Sequence, residues 1–442
     1  MSNSLMLAPA APWVGVQHRP RPPAKRVSKL ATWPFYFMMI FTITNVAALQ
    51  TRFTGGEYAL NPIVFFAAAV PIVLFSRSQK SIPSSFFLTA WIFFALFSSV
   101  GFLGRHRPPN MSDYNIAQII IKLWIGLIGI PWLTGRVVTR DQFPTFVKIM
   151  YGTVALACPL ALLQVVDPNL LKGWVNDEGR GAGLWINPNS CGMVCTAALV
   201  FTLIAPLRNK VWNLVLQGLF VATIVATLSR SSIASLAVIF LAYGCVTQRP
   251  ATVLKTIVVM AVIAFGGTFA LSFVGQGQKH VAERVARVTG ILTGRGAKGS
   301  ELGRWETWGP SFEACKEEWL LGRGHGSMFR VVQIGAGLGP HNDLLFIWGN
   351  SGIVALLAYL AFWANVVWIS WRVRNRELRA VLAGFSLMFF FQCMFTHNVL
   401  AFQFVGVIIA VQVLAAGYGR MGYQPRTQSV SAAVRHSVAM AQ

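Results

Sequence analysis

The stretch Gly339-Pro340-His341-Asn342-Asp343-Leu344-Leu345-Phe346-Ile347-Trp348-Gly349-Asn350-Ser351-Gly352 opens an apolar run that reaches Trp371 without a basic residue. A hydrocarbon layer about 30 Å thick needs about 20 apolar residues at 1.5 Å rise, so 343–371 predicts a membrane-spanning helix. Pro340 suits a first helical turn and sets His341 at the membrane boundary, near the positive end of the helix dipole. A ring there tends to stay neutral, as a general base requires. Residues 341, 345, 349 and 352 then share one helical face, on which Gly349 and Gly352 allow a neighbouring span to approach. The competing reading of His341 is a helix-start or interfacial residue.

Outward from this run the pattern repeats. Apolar runs of similar length lie at about 33–50, 58–75, 84–103, 116–134, 144–166, 188–206, 211–228, 231–247, 252–274, 378–395 and 399–417, which with 343–371 makes about twelve spans. The chain of 442 residues is 55% hydrophobic and 12% charged, with mean hydropathy +0.57, too apolar for soluble domains. The expected class is an all-α polytopic membrane protein. The expected layout is a basic cytoplasmic tail at 1–32, helices one to nine within 33–274, a large outer loop at 275–340, helices ten to twelve within 343–417, and a second cytoplasmic tail at 418–442.

Against 14 acidic residues stand 37 Lys and Arg, a net charge of +23. Basic residues in short loops resist translocation, which fixes orientation. With the N-terminus inside, every inner loop is basic: Arg77 and Lys80; Arg136 and Arg140; Arg208 and Lys210; Arg249; then Arg372, Arg374, Arg376 and Arg379. Most of the charge is therefore topological, and nucleic acid is not an expected partner. The segments 51–57, 104–115, 167–187, 229–230, 275–340 and 396–398 fall on the outer face.

Four arginines remain where the rule disfavours them: Arg180, Arg230, Arg304 and Arg323. Arg230 is the sharpest, held in the turn Leu228-Ser229-Arg230-Ser231-Ser232 between two apolar runs. An arginine near hydrocarbon snorkels to lipid phosphates or faces a partner or wet cavity. Several in separate outer loops point to a shared anionic ligand, since the guanidinium fork matches phosphate oxygens. Outer carboxylates are scarce and form no metal-binding pair. The expected site is metal-independent, without a cofactor, and its arginines stabilise a phosphate leaving group.

Within the large loop, Trp305, Trp308, Phe312, Cys315, Trp319 and Leu320 recur at helical spacing between charged residues, which predicts an amphipathic helix at the membrane surface. His325, in Gly322-Arg323-Gly324-His325-Gly326, lies in a glycine-rich segment able to approach a ligand, without a dinucleotide signature. His397-Asn398 repeats the His-Asn pair in an outer turn. Five of the six cysteines lie in apolar runs, which suggests no disulfide framework.

These residues together resemble the bacterial O-antigen ligase and polysaccharide polymerase family. The likeness rests on His341-Asn342 followed by Leu344 and Gly349, on Gly303-Arg304-Trp305-Glu306-Thr307-Trp308 and the glycine run 321–326, on Ser229-Arg230-Ser231, and on Gly179-Arg180 with Asn187-Pro188-Asn189. It covers about 170–360, and the departure is His325 inside the glycine run. The resemblance implies a type C glycosyltransferase-like bundle in the bacterial inner membrane with its catalytic cavity facing the periplasm. It implies a donor glycan on undecaprenyl diphosphate and an acceptor hydroxyl on a glycan or on lipid A core. Membrane lipids, and chain-length regulator or export proteins, are the other implied partners. By analogy Arg180, Arg230 and Arg304 hold the diphosphate and His341 takes the acceptor proton, while Arg323, His325 and Asn342 are further substrate-contact candidates.

Polymerase and ligase both fit. The segment from Leu292-Thr293-Gly294-Arg295 to Trp308 resembles the exopolysaccharide members and favours a polymerase. A lipid-linked glycan transporter is the alternative of another class. The asymmetric loop after span nine, and the lack of paired halves, argue against it.

Overall fold

The computed structural model describes residues 29–46, 60–76, 81–104, 113–167, 180–185, 187–248, 251, 302–331, 339–396, 399–401 and 403–423, with the backbone alone at 29–30, 60–61, 114, 230, 302–306, 330 and 401. The run expected to span at 252–274 lies outside them. Among the described residues the chain is helical throughout, with no strand. The helices are α1 (Lys29–Ile43), α2 (Leu60–Phe75), α3 (Ser84–Leu103), α4 (Asp113–Trp124) running through a π-helical turn (Ile125–Gly129) into α5 (Ile130–Val137), and α6 (Phe143–Val166). After these come α7 (Pro188–Ile204), α8 (Lys210–Ala226), α9 (Arg230–Thr247), α10 (Leu302–Glu317), the short α11 (Met328–Val331), α12 (Asp343–Trp371), α13 (Arg376–Cys393) and α14 (Gln403–Arg420).

Among the described residues, five helical stretches are long and apolar enough to cross a membrane: Ser84–Leu103, Asn115–Val137, Phe143–Val166, Asp343–Trp371 and Gln403–Arg420. Shorter apolar helices accompany them, and the protein is a polytopic membrane protein. Helix α14 is apolar all round and buried along nearly its whole length, so it forms the centre of the bundle. Gly406 lets it close on the π-helical turn, where an added Cβ would lie 2.5 Å from the Gly126 carbonyl oxygen. Outward faces are apolar as well: α2 exposes Ile63, Phe66, Val70 and Leu74, which suits a hydrocarbon solvent.

The run 343–371 is not one continuous helix. At Gly352 the backbone takes φ 76° and ψ 176°, a region open essentially to glycine alone. Sixteen residues of unbroken helix would hold Asp343 and Tyr359 about 24 Å apart. Instead the Tyr359 hydroxyl donates to Asp343 Oδ2 at 3.2 Å. The chain therefore doubles back at Gly352, and 343–351 is a half-helix folded against the bundle while 353–371 continues as the long arm. Only this arm follows the expected span, and at 19 residues it is about 28 Å long.

Breaking a helix strands its backbone groups, carbonyls on one side and amides on the other. The segment 318–326 satisfies both. Arg323 N donates to the Gly349 carbonyl (2.7 Å) and Gly324 N to that of Asn350 (3.1 Å), while Ile353 N donates to the Trp319 carbonyl (2.9 Å). Close approach requires glycine at 322, whose φ is +70° and whose added Cβ would sit 2.5 Å from the amides of Ser351 and Gly352. Such a strap is what permits irregular backbone within an apolar bundle.

Candidate active site

The site begins at the free end of the half-helix. Asn342 is the helix cap, with φ −150°, and its Oδ1 accepts from Leu344 N (2.9 Å) and Leu345 N (3.3 Å). Pro340 and His341 thus precede the helix and do not form its first turn. His341 is half-buried with φ 45°, a left-handed conformation, so it does not share a helical face with residues 345, 349 and 352. Those glycines face other neighbours than a span: Gly349 makes room for Met328, and Gly352 for the Leu320 carbonyl.

Asp343, next in sequence, is 1% exposed. Its carboxylate takes the Tyr359 hydroxyl and, on both oxygens, the amide of Val399 at 3.2 Å. It is the one polar residue lining a small cavity among Phe93, Phe97, Leu123, Phe346, Ile347 and Leu400, with room for about one water molecule. The sequence pattern by itself assigns Asp343 no role. An acid inside an apolar run was the available cue, because an ionisable group at such a place is costly without a function.

Arg180 and the Arg230 turn come together. Arg180 is buried, its Nε donates to the Thr227 carbonyl (2.7 Å), and one terminal nitrogen donates to Asn189 Oδ1 (3.2 Å). Gly181 N reaches the Ala226 carbonyl at 3.0 Å in the same junction. Ser229 caps α9, so Arg230 is the first residue of that helix. The side chains of Arg230 and Arg304 lie outside the described residues; the backbone of Arg304 stands in the first turn of α10.

A bonded path joins this junction to the half-helix. Ser235 Oγ donates to the Ser231 carbonyl (2.6 Å) and accepts from Gln392 Nε2 (2.7 Å) near the end of α13. The adjacent Cys393 Sγ lies 2.9 Å from the Tyr359 hydroxyl that donates to Asp343. Helix α9 and the half-helix are thereby both tied to the same end of α13.

Arg323 pairs with Glu317 and travels with the strap. His325 is 3% exposed and pins that strap to α3. Its amide donates to the Gly101 carbonyl (2.9 Å), its Nε2 lies 3.3 Å from the Ser98 carbonyl, and its ring packs edgewise on Phe97 and Phe102. Since a carbonyl only accepts, Nε2 carries a proton there. The glycine run thus approaches a helix break. Helix α10 ends at Glu317, short of the expected Trp319 and Leu320, and clamps the half-helix through Phe312 against Trp348 and through Cys315 Sγ, 3.5 Å from the Leu345 carbonyl. Burial pushes the Cys315 thiol up to about 12, partly opposed by the positive charge of Arg323. Among the described residues no three His, Cys, Asp or Glu side chains converge as a metal-ligand set.

A family model described as O-antigen ligase matches residues 215–360. Over those residues, about a third of the chain, the sequence is similar to the O-antigen ligase family. The matched region contains the Arg230 turn, α10, the strap and the half-helix, and leaves out Arg180. The match supports an enzyme of the ligase or polymerase type that handles a lipid-linked glycan and an acceptor. A comparison with curated proteins gives no match.

Proposed function

We propose that the protein is a metal-independent inverting glycosyltransferase of the bacterial inner membrane. In this reading it has about twelve spans with both termini cytoplasmic, and the site around His341 faces the periplasm. The donor is a glycan on undecaprenyl diphosphate. The acceptor hydroxyl attacks the anomeric carbon as the carbon–oxygen bond to the diphosphate breaks, which inverts that centre. His341 takes the hydroxyl proton, and Arg180, Arg230 and Arg304 hold the departing diphosphate. Arg323, His325 and Asn342 act around them: Asn342 by capping the half-helix, Arg323 and His325 through the strap. The amides at the half-helix start are already engaged by Asn342, which favours guanidinium groups as the anion holders.

The observation that carries this reading is the family match over the region that holds His341, Arg230 and Arg304. Resemblance of 292–308 to exopolysaccharide members favours a polymerase, with the growing glycan as acceptor and a chain-length regulator or export protein as partner. The description of the matching family favours a second reading, ligation to lipid A core. Purified full-length protein in lipid, given labelled lipid-linked glycan and either acceptor in the presence of EDTA, is expected to release undecaprenyl diphosphate as a glycosidic bond forms. Movement of the glycan across the membrane with no bond formed would replace the enzyme with a transporter.

A further inference from the structure

We propose that Asp343 is a positioning residue for the transfer, holding the free end of the half-helix so that His341 is presented in register; this rests on the function proposed above. The half-helix is attached to the long arm through a single non-helical residue, Gly352. The strap fixes its far end at Gly349 and Asn350, and α10 fixes its middle at Leu345 and Trp348. Its His341 end is fastened by the Asp343 carboxylate, to Tyr359 on the long arm and to Val399 beyond α13.

Leverage makes this end the sensitive one. Nine residues of helix are about 13 Å long, so a rotation of about 5° at Gly352 moves the His341 end by about 1 Å. Displacement of that size can cost about 100-fold in rate. The Tyr359 hydroxyl and the Val399 amide both donate to the carboxylate, and the start of a helix favours negative charge. A first-turn acid that served only the helix dipole would have no need of burial. This one is enclosed by Phe93, Phe97, Phe346 and Leu400, where an unfastened carboxylate would be costly.

The test uses full-length protein in lipid with lipid-linked glycan as the probe, and compares wild type with Asp343→Asn, Tyr359→Phe and the double variant. Asp343→Asn keeps the volume but turns an amide donor toward existing donors. Its kcat is expected to fall about 100-fold, with KM for the lipid-linked glycan within about twofold. Tyr359→Phe should fall about tenfold, and the double variant no further than Asp343→Asn, because both act through one fastening. Amide exchange across 343–351 should quicken in every variant. Wild-type kcat in both single variants, losses that multiply, or a rise in KM alone would overturn the proposal. If wild type transfers no glycan, the functional reading fails by itself, and unchanged exchange in Asp343→Asn would then remove the fastening as well. Should Asp343→Asn not fold, Tyr359→Phe decides through the same two readouts.

Discussion

The carbonyl of Trp319 accepts a 2.9 Å hydrogen bond from the amide of Ile353, the first residue beyond the helix break. This bond and the two from Arg323 and Gly324 let a polar backbone interruption exist inside an apolar bundle.

Gly352 is therefore a position where alanine fails. A Cβ there would stand 1.9 Å from the Leu320 carbonyl oxygen, on a backbone with φ +76°. Gly352→Ala is expected to cost about 3 kcal/mol or more, from strain and the displaced strap together. Thermal unfolding followed by intrinsic fluorescence measures it. An unchanged midpoint would mean the strap does not hold the break.

His325 should matter through the strap. His325→Ala removes the ring from between Phe97 and Phe102 and is expected to cost about 2 to 4 kcal/mol and to speed exchange at the Gly324 and Ile353 amides. His325→Gln, which keeps an N–H able to reach the Ser98 carbonyl, should lie between Ala and wild type. Equal protection of those amides in all three proteins would argue for a different role.

The general architecture was legible in the sequence because it rests on segment length and polarity, which act locally. The Ser229-Arg230 turn was legible for the same reason. The break at Gly352 was not. Its cause is a strap 30 residues upstream whose carbonyl and amides replace the helical bonds, and 343–371 otherwise satisfies every criterion for one span. The importance of Asp343 was hidden likewise, since its partners, Tyr359 and Val399, are defined only once the chain doubles back. The glycine run looked like a ligand loop because positive-φ glycines serve any close backbone approach, to a ligand or to another segment of the same chain.

At Arg230 the chemistry of the fork can be separated from its charge. Arg230→Lys keeps the positive charge and loses the planar pair of donors, so transfer should fall about tenfold or more while insertion and folding are retained. Full activity measured at saturating donor would favour lipid snorkelling over a diphosphate contact.

Cys315 should be chemically silent. With its thiol at about 12, only about one molecule in 10,000 carries a thiolate at pH 8. Maleimide labelling there is expected to stay negligible from pH 7 to pH 9 in the folded protein. Arg323→Gln removes a charge that lowers this value and should silence it further. Rapid labelling of Cys315 at pH 8, located by peptide mapping, would show that α10 does not stay packed on the half-helix.

The most direct measurement compares single-turnover transfer with donor binding in wild type and His341→Ala, both full-length and in lipid. His341 removes a proton in the proposed mechanism and does not hold the diphosphate. Transfer is therefore expected to be abolished while lipid-linked glycan still binds within about threefold of wild type. Near-normal turnover in His341→Ala would contradict the account and leave His341 as no more than the residue before a helix cap.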